Sequence, residues 1–364
     1  MGKIKAFLAR KGVVCSFRQY GVDALGAMAQ GLFCTLLVGT ILNTLGQQLH
    51  IGFLTAPVVS VGTVSYTVGG LASAMVGPGI AVAIGTALHC PPLVLFSLIP
   101  VGFAANAMGG AGGPLAVYAV TIIAAELGKL VSKETRIDIL VTPCVTVIAG
   151  IAVAQLIAAP IGTAARAVGL AIMWATELQP FFMGVLVSAL IGIALTLPIS
   201  SAAICAAFGL TGLAGGAAVA GCCAQMVGFA VMSFRENRWG GLVAQGVGTS
   251  MLQMPNILKN PRIWIPPTLA SMITGPLATC VFKLQMNGSP VSSGMGTCGF
   301  VGQIGVYTGW VNDIAAGTKA AITPMDWIGL VLICFILPAV LSTLFCRVLE
   351  KRGWIREGDM KLDL

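Results

Sequence analysis

Long apolar runs alternate with short polar breaks along nearly the whole chain, and run length sorts them into two kinds. Runs of about 20 residues at 22–46, 115–131, 138–158, 214–233, 263–283 and 326–346 can each cross a bilayer core of roughly 30 Å as a helix. The other runs are broken. Residues 52–70, 71–88 and 91–107 are interrupted by Pro57, Gly69–Gly70, Pro78, Pro91–Pro92 and Pro100, which leaves the number of crossings between 50 and 114 open. Residues 180–212 carry Pro198-Ile199-Ser200-Ser201 at their middle, and residues 239–262 contain "GTSMLQMPN" (248–256). Non-helical backbone at membrane depth survives only where protein or enclosed water satisfies its N–H and C=O groups. In transporters such breaks mark the solute site. The two stretches are therefore expected to form half-membrane hairpins, 181–210 and 239–262, with about 10–13 apolar residues per arm and tips that approach each other. Proline-kinked continuous helices are the alternative.

Composition supports the membrane reading. The 364 residues are 57% hydrophobic and 9% charged, with mean hydropathy +0.95, whereas soluble domains carry about 25% charged residues. The fold class expected is an all-α integral membrane protein of about 8–10 helices. Lys3, Lys5, Arg10, Lys11 and Arg18 stand in an acid-free 1–18 segment, and Arg347, Lys351, Arg352 and Arg356 follow the last apolar run. By the positive-inside rule both termini are expected to be cytoplasmic, as is the 234–240 loop with Arg235 and Arg238. The net charge of +8 is then a topology signal and no sign of nucleic-acid binding. Residues 3–18 are expected to form a short amphipathic helix on the inner membrane surface. Residues 347–364 are expected to form a cytoplasmic tail.

The chemistry available is sparse. Eleven cysteines show no CxxC and no Cys/His ligand spacing, so they read as small hydrophobes, and neither metal nor cofactor is expected. Forty-seven glycines gather in patches such as 109–113 and 209–221, a pattern for close helix packing rather than a phosphate loop. Ser250, Gln253 and Asn256 are uncharged groups that both donate and accept, suited to a small polar solute. Lys259 and Arg262 fit either an anionic ligand or the cytoplasmic interface. Glu177 reads as a cavity carboxylate or an interfacial acid, and Arg166 as a snorkelling cation. Glu126 lies in an apolar run one turn from Lys129. The polar segment 283–305, with Asn287, Ser289, Ser292, Ser293 and Gln303, is either a solvent-exposed loop or a lid on the same cavity.

The order of segments from 137 to 283 carries a resemblance. "IDILVTPCVTVIAGIAVAQLIAAPIG" (137–162) precedes an amphipathic stretch, "TAARAVGLAIMWATELQP" (163–180). "FFMGVLVSALIGIALTLPISSAAICAAFGL" (181–210) and "GTSMLQMPNILKNPRIWIPP" (248–267) follow as two hairpins. This arrangement resembles the membrane subunit, enzyme IIC, of the sugar phosphotransferase system. Stand-alone chains of this kind are similar to the PfoR-type membrane proteins, a divergent enzyme IIC family with a glucose-superfamily-like fold. The resemblance implies a scaffold and dimerisation domain (21–136), a substrate-binding domain (137–346), a homodimer, and a place in the bacterial inner membrane, with separate IIA and IIB proteins as potential partners. Together with the residue reading above, it makes Pro198, Ser200, Ser201, Thr249, Ser250, Gln253, Asn256, Glu177, Asn287 and Ser292 the expected solute-binding residues.

The departures from that family bear on activity. Sugar-transporting relatives carry a histidine in the first hairpin and an Asn-Glu-Pro motif in the second. Here Pro198-Ile199-Ser200-Ser201 and Thr249-Ser250-Met251 stand in those places, and no carboxylate occurs between Glu236 and Asp313. No phosphocysteine-bearing IIB segment or IIA histidine domain is present in the sequence. The expectation is a permease for a small polar solute that does not phosphorylate it alone. The alternative is a membrane-embedded sensor that kept the pocket.

Overall fold

The structure, a computed structural model, describes residues 7–8, 10–13 and 16–362. Of the amphipathic helix expected over 3–18, residues 3–6, 9, 14 and 15 lie outside the described residues. The described chain is an all-α membrane protein. Five helical stretches are long and apolar enough to cross a bilayer: Arg18–Gln48, Pro92–Val131, Asp138–Thr176, Gly212–Met232 and Pro324–Lys351. A sixth arises if Val68–Ala74 and Val76–Ala87, bent by 53°, count as one span. Among the described residues the one sheet is a two-stranded hairpin, Val59–Val61 with Val64–Tyr66, in the register Val59↔Tyr66.

The chain divides into two compact units, Met1–Ala164 and Ala165–Leu364. In the first, glycine lets backbones meet: a Cβ on Gly77 would come within 2.3 Å of the Gly102 carbonyl oxygen. Pro92–Gly109 and Gly113–Val131 pack against each other across a break at Gly110, whose φ of +53° suits glycine. Glu126 is paired to Lys129 at 2.8 Å, and Lys129 Nζ also donates to the carbonyls of Gly12 and Leu88. The lone acid of that apolar run is therefore held by the cation one turn away.

In the second unit the Gly212–Met232 helix lies at the centre, with 89% of its apolar window buried. Pro180–Thr196, Ile265–Pro276 and Leu337–Lys351 surround it. Its glycines set the spacing: a Cβ on Gly221 would lie 1.9 Å from the Ser188 carbonyl oxygen, and one on Gly216 only 1.8 Å from that of Leu284. Val219, Cys223, Met286, Val306, Trp310 and Ile333 fill the core beside this helix.

Three expected boundaries shift. The amphipathic stretch 163–180 is no separate element, because Asp138–Thr176 runs as one helix of 39 residues with Pro143 and Pro160 inside it. The 263–283 run is a 12-residue helix, Ile265–Pro276, continued by a π-helical turn, Leu277–Val281, where Pro276 has no N–H to give. The first broken stretch has unequal helices on its two sides, where arms of about 10–13 residues were expected. Pro180–Thr196 has 17 residues, about 25 Å at 1.5 Å per residue, and Ser201–Ala207 has 7.

Candidate functional site

The first break forms where proline forbids helix. Leu197 is extended (φ −69°, ψ 157°), as the residue before a proline prefers. The helix restarts after Ser200, whose hydroxyl accepts from the Ala203 N–H at 3.1 Å and caps Ser201–Ala207. The second break is built by Thr249 (φ −158°, ψ 141°), whose hydroxyl accepts from the Met251 N–H at 3.2 Å. A short turn, Ser250–Gln253, leads into Met254–Lys259 with Pro255 in its first turn, where a missing N–H costs nothing.

The two breaks meet. Thr196 Oγ1 lies 2.8 Å from Ser250 Oγ and 3.3 Å from Gln225 Oε1. Gln225 Oε1 also accepts from Trp264 Nε1 at 3.0 Å, and its Nε2 donates to Thr268 Oγ1 at 3.2 Å. A second amide cluster adjoins the tip of the second hairpin. Gln253 Nε2 donates to Gln245 Oε1 at 2.8 Å, while Gln253 Oε1 accepts from Asn256 Nδ2 at 2.9 Å. Gln225, Gln245, Ser250 and Gln253 are fully buried, and Thr196 with them. Among the described residues no Asp or Glu side chain is hydrogen-bonded to Thr196, Gln225, Ser250, Gln253 or Asn256. The cluster is neutral, and nearly every donor is matched to an acceptor, as buried polar groups require.

Sequence reasoning named Ser250, Gln253 and Asn256 but missed Thr196, Gln225, Gln245, Trp264 and Thr268. Gln225 left a readable signal. It is the one amide in the 21-residue apolar helix Gly212–Met232, and an intramembrane polar side chain needs a partner. It stands seven residues before Met232, about 10 Å along the axis, so the two breaks meet well inside the fold.

Segment 283–305 packs against both broken stretches. Met286, Ser292, Ser293, Thr297 and Cys298 are buried. Ser201 Oγ donates to the Gly294 carbonyl at 2.7 Å and Ser293 Oγ to that of Leu210 at 2.6 Å, tying the segment to the first hairpin. Thr297 Oγ1 donates to the Gly246 carbonyl at 2.5 Å, tying it to the second. Asn287 lies apart from the tips. It accepts from the Gly212 N–H, donates to Asp313 Oδ2 at 2.8 Å, and lines a cavity of about 560 Å³ with Lys283, Gln285, Trp310 and Lys319. Glu177 is exposed in the turn before Pro180, and Pro198 is buried in the first break.

The C-terminal segment, expected as a cytoplasmic tail, packs against residues 236–260. Met360 O accepts from both Gln253 Nε2 (3.0 Å) and Asn237 Nδ2 (2.8 Å), and Lys361 O accepts from Asn256 Nδ2 (2.9 Å). Glu236 accepts from the N–H groups of Gly358 and Met360 at 3.0 and 3.1 Å. Burial pushes the Glu236 carboxyl above its ordinary value against the pull of those two N–H groups, and the nearby Asp359 and Glu357 charges push the same way as burial. Lys259 and Arg262 stay exposed, with Arg262 stacked on the Trp354 ring at 5.2 Å.

Among the described residues no group of three or more His, Cys, Asp or Glu side chains is placed to hold a metal ion. A family model described as "Phosphotransferase system, EIIC" matches residues 22–362. No curated protein and no solved structure matches the chain.

Proposed function

The chain belongs to the phosphotransferase system EIIC family, and we propose that it takes up a small neutral polar solute, a sugar or related metabolite, without phosphorylating it by itself. As an EIIC protein it is a multi-pass membrane permease component. The observation that carries the finer reading is the neutral cluster where Thr196 meets Ser250, with Gln225 behind them and Gln253 and Asn256 beside them. Amides and hydroxyls match the hydroxyls of a sugar donor for acceptor, at about 0.5–1.5 kcal/mol net per bond. Group transfer to a solute hydroxyl needs a positioned base, and uncharged amides have no useful basicity. Family kinship supports the bacterial inner membrane, a homodimer and separate IIA and IIB partners. The basic ends of the chain support cytoplasmic termini. Consistent with that, the 234–240 loop and residues 354–362 share one face of the second unit, joined through Glu236 and Asn237.

The test is equilibrium binding of labelled hexoses, pentoses and hexitols to purified protein. Binding of one class, weakened at least tenfold by Ser250→Ala or Gln225→Leu in folded variants, is expected. Binding indifferent to both variants would remove the site from the hairpin tips. One observation favours a second reading, the sensor: peptide carbonyls of the tail already occupy amide donors of Gln253 and Asn256. A solute that displaced the tail would convert binding into a signal on the cytoplasmic face.

A further inference from the structure

We propose that residues 354–362 are an autoinhibitory latch, a peptide ligand carried by the chain itself that binds the second hairpin and withholds its amides from solute. The surface it occupies is made to recognise a backbone. Side chains of Glu236, Asn237, Gln253, Asn256 and Asn260 reach main-chain groups of the tail: the carbonyls of Trp354, Met360 and Lys361, and the N–H groups of Gly358, Met360 and Leu362. Two side-chain pairs are added, Asn260 Nδ2 to Asp359 Oδ2 at 2.8 Å and Arg262 over the Trp354 ring at 5.2 Å. Ile355 and Met360, each 2% exposed, anchor the segment between its charged residues.

Donor arithmetic gives the contact its consequence. A primary amide has two N–H groups to offer. Those of Gln253 go to Gln245 Oε1 and Met360 O, and those of Asn256 to Gln253 Oε1 and Lys361 O. With the tail seated, neither amide has a hydrogen left for a ligand. Release of the tail exposes Ile355 and Met360, whereas Glu236 and Asn237 are already half-buried and Arg356, Glu357 and Lys361 already face water. Being tethered, it competes at a high effective concentration. A solute must therefore outcompete it, or a cytoplasmic partner must draw it off.

The latch itself stands on the hydrogen bonds above; its inhibitory role rests on the reading of Gln253 and Asn256 as solute donors. Limited trypsin digestion of the full-length protein tests the first part. Cleavage after Arg356 should be at least tenfold faster in the Glu236→Ala/Asn237→Ala variant than in the unaltered chain, and a change under threefold would overturn the latch. Protein ending at Gly353 should bind a synthetic peptide of residues 354–362 saturably, and the unaltered chain should not. Equal binding to both would also overturn it. Uptake by the same double variant separates the two parts. Faster cleavage with increased uptake upholds both, whereas faster cleavage with unchanged uptake keeps the latch and counts against the solute reading of the two amides.

Discussion

The hydroxyls of Thr196 and Ser250, 54 positions apart in sequence, lie 2.8 Å from each other and join the two breaks of the second unit. Thr196 ends one helix and Ser250 opens the turn after the second break, so the contact depends on both breaks being in place. Thr196→Val and Ser250→Ala should each lower stability by about 0.5–1.5 kcal/mol. The double variant should cost less than the sum of the singles, because the second change finds no partner left to orphan. Thermal unfolding of the purified protein in detergent checks both statements, and additive losses would show that the two hydroxyls act separately.

Gln225 carries more. Its Oε1 serves Thr196 and Trp264, and its Nε2 serves Thr268. Gln225→Leu leaves the half-buried Trp264 indole N–H and the hydroxyls of buried Thr196 and half-buried Thr268 without those partners, which should cost about 1–3 kcal/mol. A lower unfolding midpoint with an unchanged helical circular dichroism spectrum is the expected result.

Glycine spacing around the central helix gives a sharper contrast. Gly221→Ala would force a methyl to within 1.9 Å of the Ser188 carbonyl oxygen, a contact that must push the Pro180–Thr196 helix away. Gly240→Ala meets nothing within 4 Å. Size-exclusion profiles should show aggregation or lost expression for the first and an unaltered peak for the second.

Much of this arrangement was legible from residue pattern. Pro198 and the polar run at 248–256 announce the two breaks, and the glycines of 209–221 announce close packing. Other parts were hidden for physical reasons. The alternation Val59-Ser60-Val61 and Val64-Ser65-Tyr66 about Gly62 is a strand pattern, yet it is embedded in a chain whose hydrophobicity masks period-two signals. The tail was hidden because Arg356, Glu357 and Asp359 read as solvated, while its binding depends on main-chain groups that have no letter in the sequence. Ile355 and Met360, five positions apart, were its side-chain trace.

Glu236 gives the tail a pH dependence. Its carboxyl is raised above the ordinary value of 4.5, burial being the main cause, with Asp359 and Glu357 of the tail and Cys346 of the last helix close enough to interact. A group raised in the seated state binds more protons there than when the tail is free. Tail binding is therefore strongest below the ordinary value and weakens as pH rises through the raised one. Affinity of the 354–362 peptide for protein ending at Gly353, measured from pH 4.5 upward, should fall with pH. Glu236→Gln should flatten that dependence.

The central claim is that this EIIC protein moves a neutral solute through the hairpin tips and leaves it chemically unchanged. Reconstitution in liposomes with purified phosphotransferase components and labelled sugars tests it most directly. The account predicts unmodified solute inside the vesicles, at a rate that falls at least tenfold with Ser250→Ala or Gln225→Leu. Phosphorylated solute accumulating inside vesicles, dependent on this chain, would contradict it.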